Sequence, residues 1–515
     1  MKGNVRIRII SLVSFVTLSL VFGEQAVYAG PTTSGDHAEV QALHRELEAA
    51  KAVLDEMKQI YDAKIKALQE RLSRVEESEP AQLAVLPAAA TEPELVRPRK
   101  GEQEIQLEQI PARKGPLPVI PDIAGTRITG FVVGSMNYAS AQRFPGTTPA
   151  VPSRGIREFD REVTAPTDPG DVNFRFDSLN IGFTKRLADW LLVSAAIEVE
   201  NDRAIEAFAG GTTLEREQKT DVGIDVFEIT GVAPLGNGLA LSFGKYNVPF
   251  GIEREDAPFN LQATNSLVFE LGRPSKMLGF RGAYQFNPIF DVQLFGVNGW
   301  DVDEDNNSGK TFAGRLGITP IEGLNFGIGG FWGPEQNSTE SSKRRIIDVD
   351  ATFSQIPRLT LASEFVYGAE SHVGVFSVNE PSLLVGVDEV DLPGFVQEKD
   401  VNWIGFALTG HYDFTDLWGL TLRYGYFNDM DGGRTGFDQV LQSFTLAPTI
   451  HLSNLIPGLG VPGYVPRTNQ PIPYVDLRLE YRLDWSNRDA FITKNDLSDF
   501  SDIEQRFTMQ LIGMF

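Results

Sequence analysis

Asp301, Asp303, Glu304 and Asp305 stand in one short run flanked by Asn and Gly, a composition that could hold a divalent cation through side-chain oxygens. An EF-hand loop needs its sharp-turn glycine at the sixth position. Counted from Asp301, that position is Asn306, and the glycine comes late, at Gly309. A calcium loop therefore stays open as an alternative, and a plain solvated loop is the preferred reading.

Acid–base chemistry has few candidates. The chain holds 5 histidines. His411 and Asp413 fall on one parity of a strand, so an Asp-His pair acting on a water is conceivable. It would need a facing carboxylate pair near the far rim, whereas the pattern puts His411 at the opposite end. No nucleophilic Ser motif, HExxH run or phosphate-binding glycine loop is present. The chain is expected not to be an enzyme and to need no cofactor or resident metal.

A larger set of charges shares the polar parity of alternating segments: Arg281, Arg315, Arg423, Arg478 and Arg482 against Glu198, Asp348, Asp350, Glu364, Asp476, Glu480 and Asp484. Lining a water-filled interior, both signs together would focus a transverse field on a passing solute. The plainer alternative, preferred residue by residue, is that they solvate the interior and pair with one another.

These charges need strands to position them. In "YVDLRLEYRLDW", Val475, Leu477, Leu479, Tyr481 and Leu483 take one face while Asp476, Arg478, Glu480, Arg482 and Asp484 take the other. Similar alternation recurs along 125–515, as in Leu278, Phe280, Gly282, Tyr284, Phe286 and in Ile404, Phe406, Leu408, Gly410, Tyr412. Strands of about 10 to 14 residues with one apolar and one polar face match a transmembrane barrel of about 16 antiparallel strands. Short connections at 185–190, 234–238, 287–290, 319–323, 354–358 and 414–418 alternate with long ones at 139–171, 201–220, 250–276, 301–309, 333–343, 370–400, 429–440 and 487–504. The segment 453–473 breaks the alternation, being long where a short turn belongs. Apolar parity also switches between Phe176 and Leu179 and between Ile224 and Phe227, which predicts bulges in the second and fourth strands.

The rest of the chain reads differently. Lys2, Arg6 and Arg8 precede an uncharged apolar stretch ending near "AVYAG", the pattern of a signal peptide over 1–29. Over 36–78, Val40, Leu43, Leu47, Ala50, Leu54, Met57 and Tyr61, then Ile65, Leu68, Leu72 and Val75, give the 3-4 repeat of a coiled coil with one stutter. A proline-punctuated linker follows over 79–122. The formal charge of −23 argues against a nucleic-acid partner, and the absence of cysteine excludes a disulfide framework.

"GKYNVPFGIERE" at 244–255, "LGFRGAYQF" at 278–286 and "VNGWDVDEDNNSGKTFAGRLGITP" at 297–320 resemble the OmpL-like β-barrel porins and, more distantly, the phosphate-selective porin group. The resemblance covers most of 125–515. It implies passive diffusion of small hydrophilic solutes or ions through an outer-membrane barrel, often trimeric, with one loop folded inward as a constriction. By position that loop is 250–276, carrying Glu253, Arg254, Glu255, Asp256, Glu270 and Arg273. A homotrimer, contact with outer-membrane lipid, a periplasmic place for the coiled coil and its partner, and recognition of Phe515 by barrel-assembly machinery are the partner expectations. The alternative function is a structural protein tethering the membrane to the periplasm through the coiled coil. The basic ladder expected of a phosphate-selective channel is not evident.

Overall fold

The computed structural model describes residues 126–143, 168–206, 215–377, 396–455, 474–494 and 499–514. The segments read as signal peptide, coiled coil and linker, and Phe515, lie outside the described residues.

The described chain forms 16 barrel strands. They are β1 Thr126–Ala139, β2 Val172–Ala188, β3 Leu191–Glu206, β4 Glu215–Ala233, β5 Leu239–Asn247, β6 Lys276–Gln285, β7 Phe290–Val297 and β8 Thr311–Ile321. The second half is β9 Leu324–Gln336, β10 Thr339–Phe353, β11 Leu359–Phe376, β12 Val396–Asp413, β13 Trp418–Asp429, β14 Gln439–His451, β15 Tyr474–Ser486 and β16 Ile503–Met514. Each strand pairs antiparallel with its sequence neighbours, and β16 closes the cylinder against β1, with Met514 opposite Phe131. Closure leaves no edge, so backbone donors find partners inside the sheet. No helix among the described residues is long and apolar enough to cross a membrane.

The side chains are distributed inside out compared with a protein that faces water. Phe280, Leu294, Ile347 and Leu511 are exposed on the outer wall, while Asp476, Arg478, Glu480, Arg482 and Asp484 are buried within. An apolar outer band and a charged interior suit lipid outside and polar groups inside. Aromatics gather where the short turns emerge: Phe414 stacks on Trp418 with ring centroids 4.3 Å apart, and Trp190 is exposed at the turn between β2 and β3.

Both expected bulges are present. The register of β1 on β2 shifts so that Asp177 is the extra residue, and that of β3 on β4 shifts so that Asp225 is. Strand lengths spread more widely than expected, from 8 residues in β7 to 19 in β4. The connections expected at 201–220 and 370–400 are shorter, because their flanking strands run on to Glu206 and Phe376 and resume at Glu215 and Val396. The expected long loop at 333–343 is a two-residue turn at Asn337 and Ser338, with Ser338 at φ 57°. Its strands keep pairing where both faces meet polar partners, so the run "PEQNSTESSK" has a loop's composition and a hairpin's geometry. The 487–504 connection is also ordered in part: Phe491–Ile492 pairs with Phe500–Ser501 and with Gln142–Arg143.

Candidate functional site

Residues 248–275, joining β5 to β6 and hereafter the third loop, cross the barrel interior and bond to wall strands far away in sequence. Its neck is closed by the Val248 N–H donating to the Ser275 carbonyl at 2.8 Å. Phe250 is buried. Gly251, at φ +65°, then turns the chain inward, and a Cβ there would collide with the Glu364 carboxylate. That carboxylate accepts the Ile252 N–H at 3.1 Å, and Asp348 accepts the Gly251 N–H at 3.2 Å. The "PFG" run therefore has a physical reason: its glycine brings backbone donors onto two wall carboxylates.

The middle of the loop is held by four charged wall residues. Arg423 donates to Glu253 at 2.8 Å, to the Thr264 carbonyl at 2.5 Å and to the Asn265 carbonyl at 3.2 Å. Glu253 also accepts from Gln262 and from the Ser266 N–H. Glu480 accepts the N–H groups of Ala263 and Thr264, at 2.8 and 3.2 Å, and the Thr264 hydroxyl. Arg478 donates to the Ala257 and Gln262 carbonyls, at 2.8 and 3.1 Å. Arg482 reaches the Asn265 carbonyl at 2.7 Å and Glu270 at 3.3 Å.

The returning limb is fastened by the other quoted motif. Asp301 Oδ1 accepts the Ser275 N–H, the Ser275 hydroxyl and the Lys276 N–H, at 2.7, 2.9 and 2.7 Å. Trp300 is buried between guanidiniums, with Arg344 4.5 Å and Arg434 4.6 Å from its ring centroid. Arg434 donates to the Leu271 carbonyl, and Trp403 Nε1 to the Gly272 carbonyl at 3.1 Å. Arg273 completes this end, donating to Glu364 at 2.5 Å and to the Glu253 carbonyl at 3.0 Å.

The structure thus gathers Glu253, Glu270, Arg273, Glu364, Arg423, Arg478, Glu480 and Arg482 into one network. Arg254 contributes through its backbone, whose N–H and carbonyl pair with the Asn260 side chain at 2.8 and 2.6 Å. Glu255 pairs with Lys276 at 3.0 Å. Asp256 sits by Glu198 and Asp225. Arg281 and Arg315 stand apart from the loop, on Glu228 and Asp350 respectively. Most of the inward charges named from the sequence are held by partners within the interior, and Glu198 is an exception among the described residues. Nothing in the sequence marks Trp300, Trp403 and Arg434 as clamps, because a buried aromatic beside guanidiniums has no local spacing.

The acidic run is engaged by internal donors. Asp303 meets Lys245 at 2.9 Å, and Asp305 pairs with Lys310 and accepts the Asn307 N–H. His411 and Asp413, 3.0 Å apart, belong to a buried chain that continues through His451 to Asp476. Both nitrogens of each imidazole are taken by Thr421, Asp413 or Asp476. Neither ring has a nitrogen left to draw a proton from a water.

Electrostatics at the open margin favour carboxylates. Glu228 is 22% exposed against 8% for Arg281, Glu255 30% against 15% for Lys276, and Glu270 24% against 2% for Arg482. Arg506, at 18% against 2% for Glu504, is the opposite case. Burial pushes the Glu270 carboxyl up, but the guanidiniums of Arg482, Arg143 and Arg506 outweigh it and hold it down to about 2.

The profile of the family described as "Putative beta-barrel porin-2, OmpL-like" matches residues 202–515, more than half of the chain. No curated relative matches in sequence. Among solved structures, the outer membrane channel DcaP of Acinetobacter baumannii is 14% identical with a TM-score of 0.45, covering 78% of this chain and 100% of its own. OmpT of Vibrio cholerae is 12% identical with a TM-score of 0.43, covering 77% and 100%. The anion-selective porin from Comamonas acidovorans is 9% identical with a TM-score of 0.43, covering 76% and 100%.

Proposed function

The chain belongs to the OmpL-like β-barrel porin family, and on that premise we propose that it is an outer-membrane channel for passive diffusion of small hydrophilic solutes or ions, narrowed by its third loop. The observation that carries this reading is the loop's course: residues 248–275 run inside a closed barrel and are bonded to β10, β11, β13 and β15 rather than lying over the rim. A tether has no need of such a loop, whereas a channel gains a fixed constriction from it. Glu253, Arg254, Glu255, Asp256, Glu270 and Arg273 from the loop, with Glu364, Arg423, Arg478, Glu480 and Arg482 from the wall, form the constriction set, and Arg281 and Arg315 add to the wall's charge away from the loop.

Trimerisation, a periplasmic coiled coil and recognition of Phe515 during assembly belong to the same proposal. The 3-4 apolar repeat and the aromatic-ended last strand support them.

Purified full-length protein reconstituted in a planar bilayer should give discrete, ohmic conductance steps. Bilayers that stay sealed, although the inserted protein is folded and heat-modifiable, would overturn the channel reading and favour the tether.

A further inference from the structure

Among the described residues, three buried carboxylates from the wall and the third loop converge on one point. Glu198 on β3, Asp225 in the bulge of β4 and Asp256 on the third loop are all buried, and one carboxylate oxygen from each lies within 4.8 Å of the other two. The bulge makes this possible: as the extra residue opposite Ala196 and Ile197, Asp225 is turned inward beside Glu198 instead of following the strand's alternation.

Local donors serve only part of the group. Lys276 pairs with Asp225 and Glu255, and Asn180 donates to Asp225 at 2.7 Å. Glu198 is only 7% exposed, points into the cluster, and has no hydrogen bond or ion pair among the described residues. Glu198 is thus the buried carboxylate of the group that no hydrogen bond or ion pair among the described residues serves, and a buried carboxylate without a partner is costly to leave charged.

We propose that Glu198, Asp225 and Asp256 bind a calcium ion that ties the third loop to the wall at β3 and β4. The ligand type suits a hard cation, and calcium, whose coordination is flexible, accepts an irregular carboxylate set where magnesium demands near-ideal octahedral geometry. Three carboxylates supply up to six oxygens, and water completes the shell. The site joins the loop to β3 and β4, four or more strands around the barrel from the β13 and β15 strands that carry Arg423, Glu480 and Arg482, so the ion fixes the loop from a second direction. The acidic run Asp301–Asp305 is a separate place and takes no part.

The test uses the full-length protein in detergent, refolded free of lipid and stripped with EGTA, then titrated calorimetrically with calcium chloride alone. One saturable site per chain is expected, with magnesium about tenfold weaker. Glu198→Gln and Asp256→Asn should each weaken calcium binding by about tenfold or more, while Asp303→Asn combined with Asp305→Asn leaves it unchanged. Asp256→Asn lies in the loop, outside the strands, and stands in if Glu198→Gln does not fold. No saturable calcium binding overturns the site, as does binding that survives both single variants or that is lost only in the Asp303/Asp305 double variant.

Discussion

Gly251 is the residue on which the inward path of the third loop depends. Its φ of +65° is one that side chains with a Cβ rarely adopt, and the space a Cβ would need is filled by the Glu364 carboxylate. Gly251→Ala therefore carries two penalties at one position, the backbone term alone being about 1–2 kcal/mol. Glu364 would have to retreat, releasing Ile252 and Arg273 together. The loop should loosen while the barrel, whose strand pairing does not involve this residue, stays folded. Limited proteolysis checks it: new cleavage within 248–275 with unchanged heat-modifiability is expected, and a variant as resistant as the parent would refute the hinge. The importance of this glycine could be anticipated from the "PFG" resemblance but not from spacing. Its partner lies 112 residues away from Ile252 in sequence, and only the closed sheet brings Glu364 beneath it.

Elements were legible in proportion to how cleanly one face met lipid. β15 alternates without a break because every outward position needs an apolar side chain, so its inward charges could be assigned from sequence alone. The hairpin at Asn337–Ser338 could not, since beyond the apolar band neither face demands hydrophobic residues and a paired strand looks like a loop. Asp225 is a middle case: the parity switch marked a bulge, but its companions follow from register across β3 and β4. The third loop gives the prediction that belongs to this scale. Glu270, in its returning limb, lies 3.1 Å from Arg143 and 3.3 Å from Arg482 and is held at about 2, below the ordinary 4.5. A carboxyl lowered on docking stabilises the docked loop fully above 4.5 and progressively less as pH falls toward 2. Acid in that window should free the limb, raising open-channel noise and conductance. Glu270→Gln should show the loosened behaviour already at neutral pH and lose most of the step. Identical pH curves for the two proteins would sink the assignment.

At the scale of the whole molecule, the question is which sign of ion the interior favours. The formal charge of −23 is a weak guide, because it counts every residue of the chain rather than those that line the barrel. The distribution of exposure is a better one. In the pairs at the open margin the carboxylate is the more accessible member, as with Glu228 beside Arg281 and Glu255 beside Lys276, while the cation is withdrawn into the wall. A passing ion meets oxygen first, in a passage whose low-dielectric walls concentrate the field. Arg506 and Lys310 reverse the pattern, and the deep arginines spend their charge on loop carbonyls and partner carboxylates, so the preference for cations should be mild. It should also fade with salt as the Debye length contracts from about 10 Å at 0.1 M to about 3 Å at 1 M. Reversal potentials across a potassium chloride gradient measure this directly. Neutralising Glu228 and Glu255 together, two carboxylates more exposed than the cations they pair with, should move the potential toward chloride more than neutralising the buried Glu253. A parent channel that already prefers chloride would mean that the buried guanidiniums, not the exposed carboxylates, set the field along the passage.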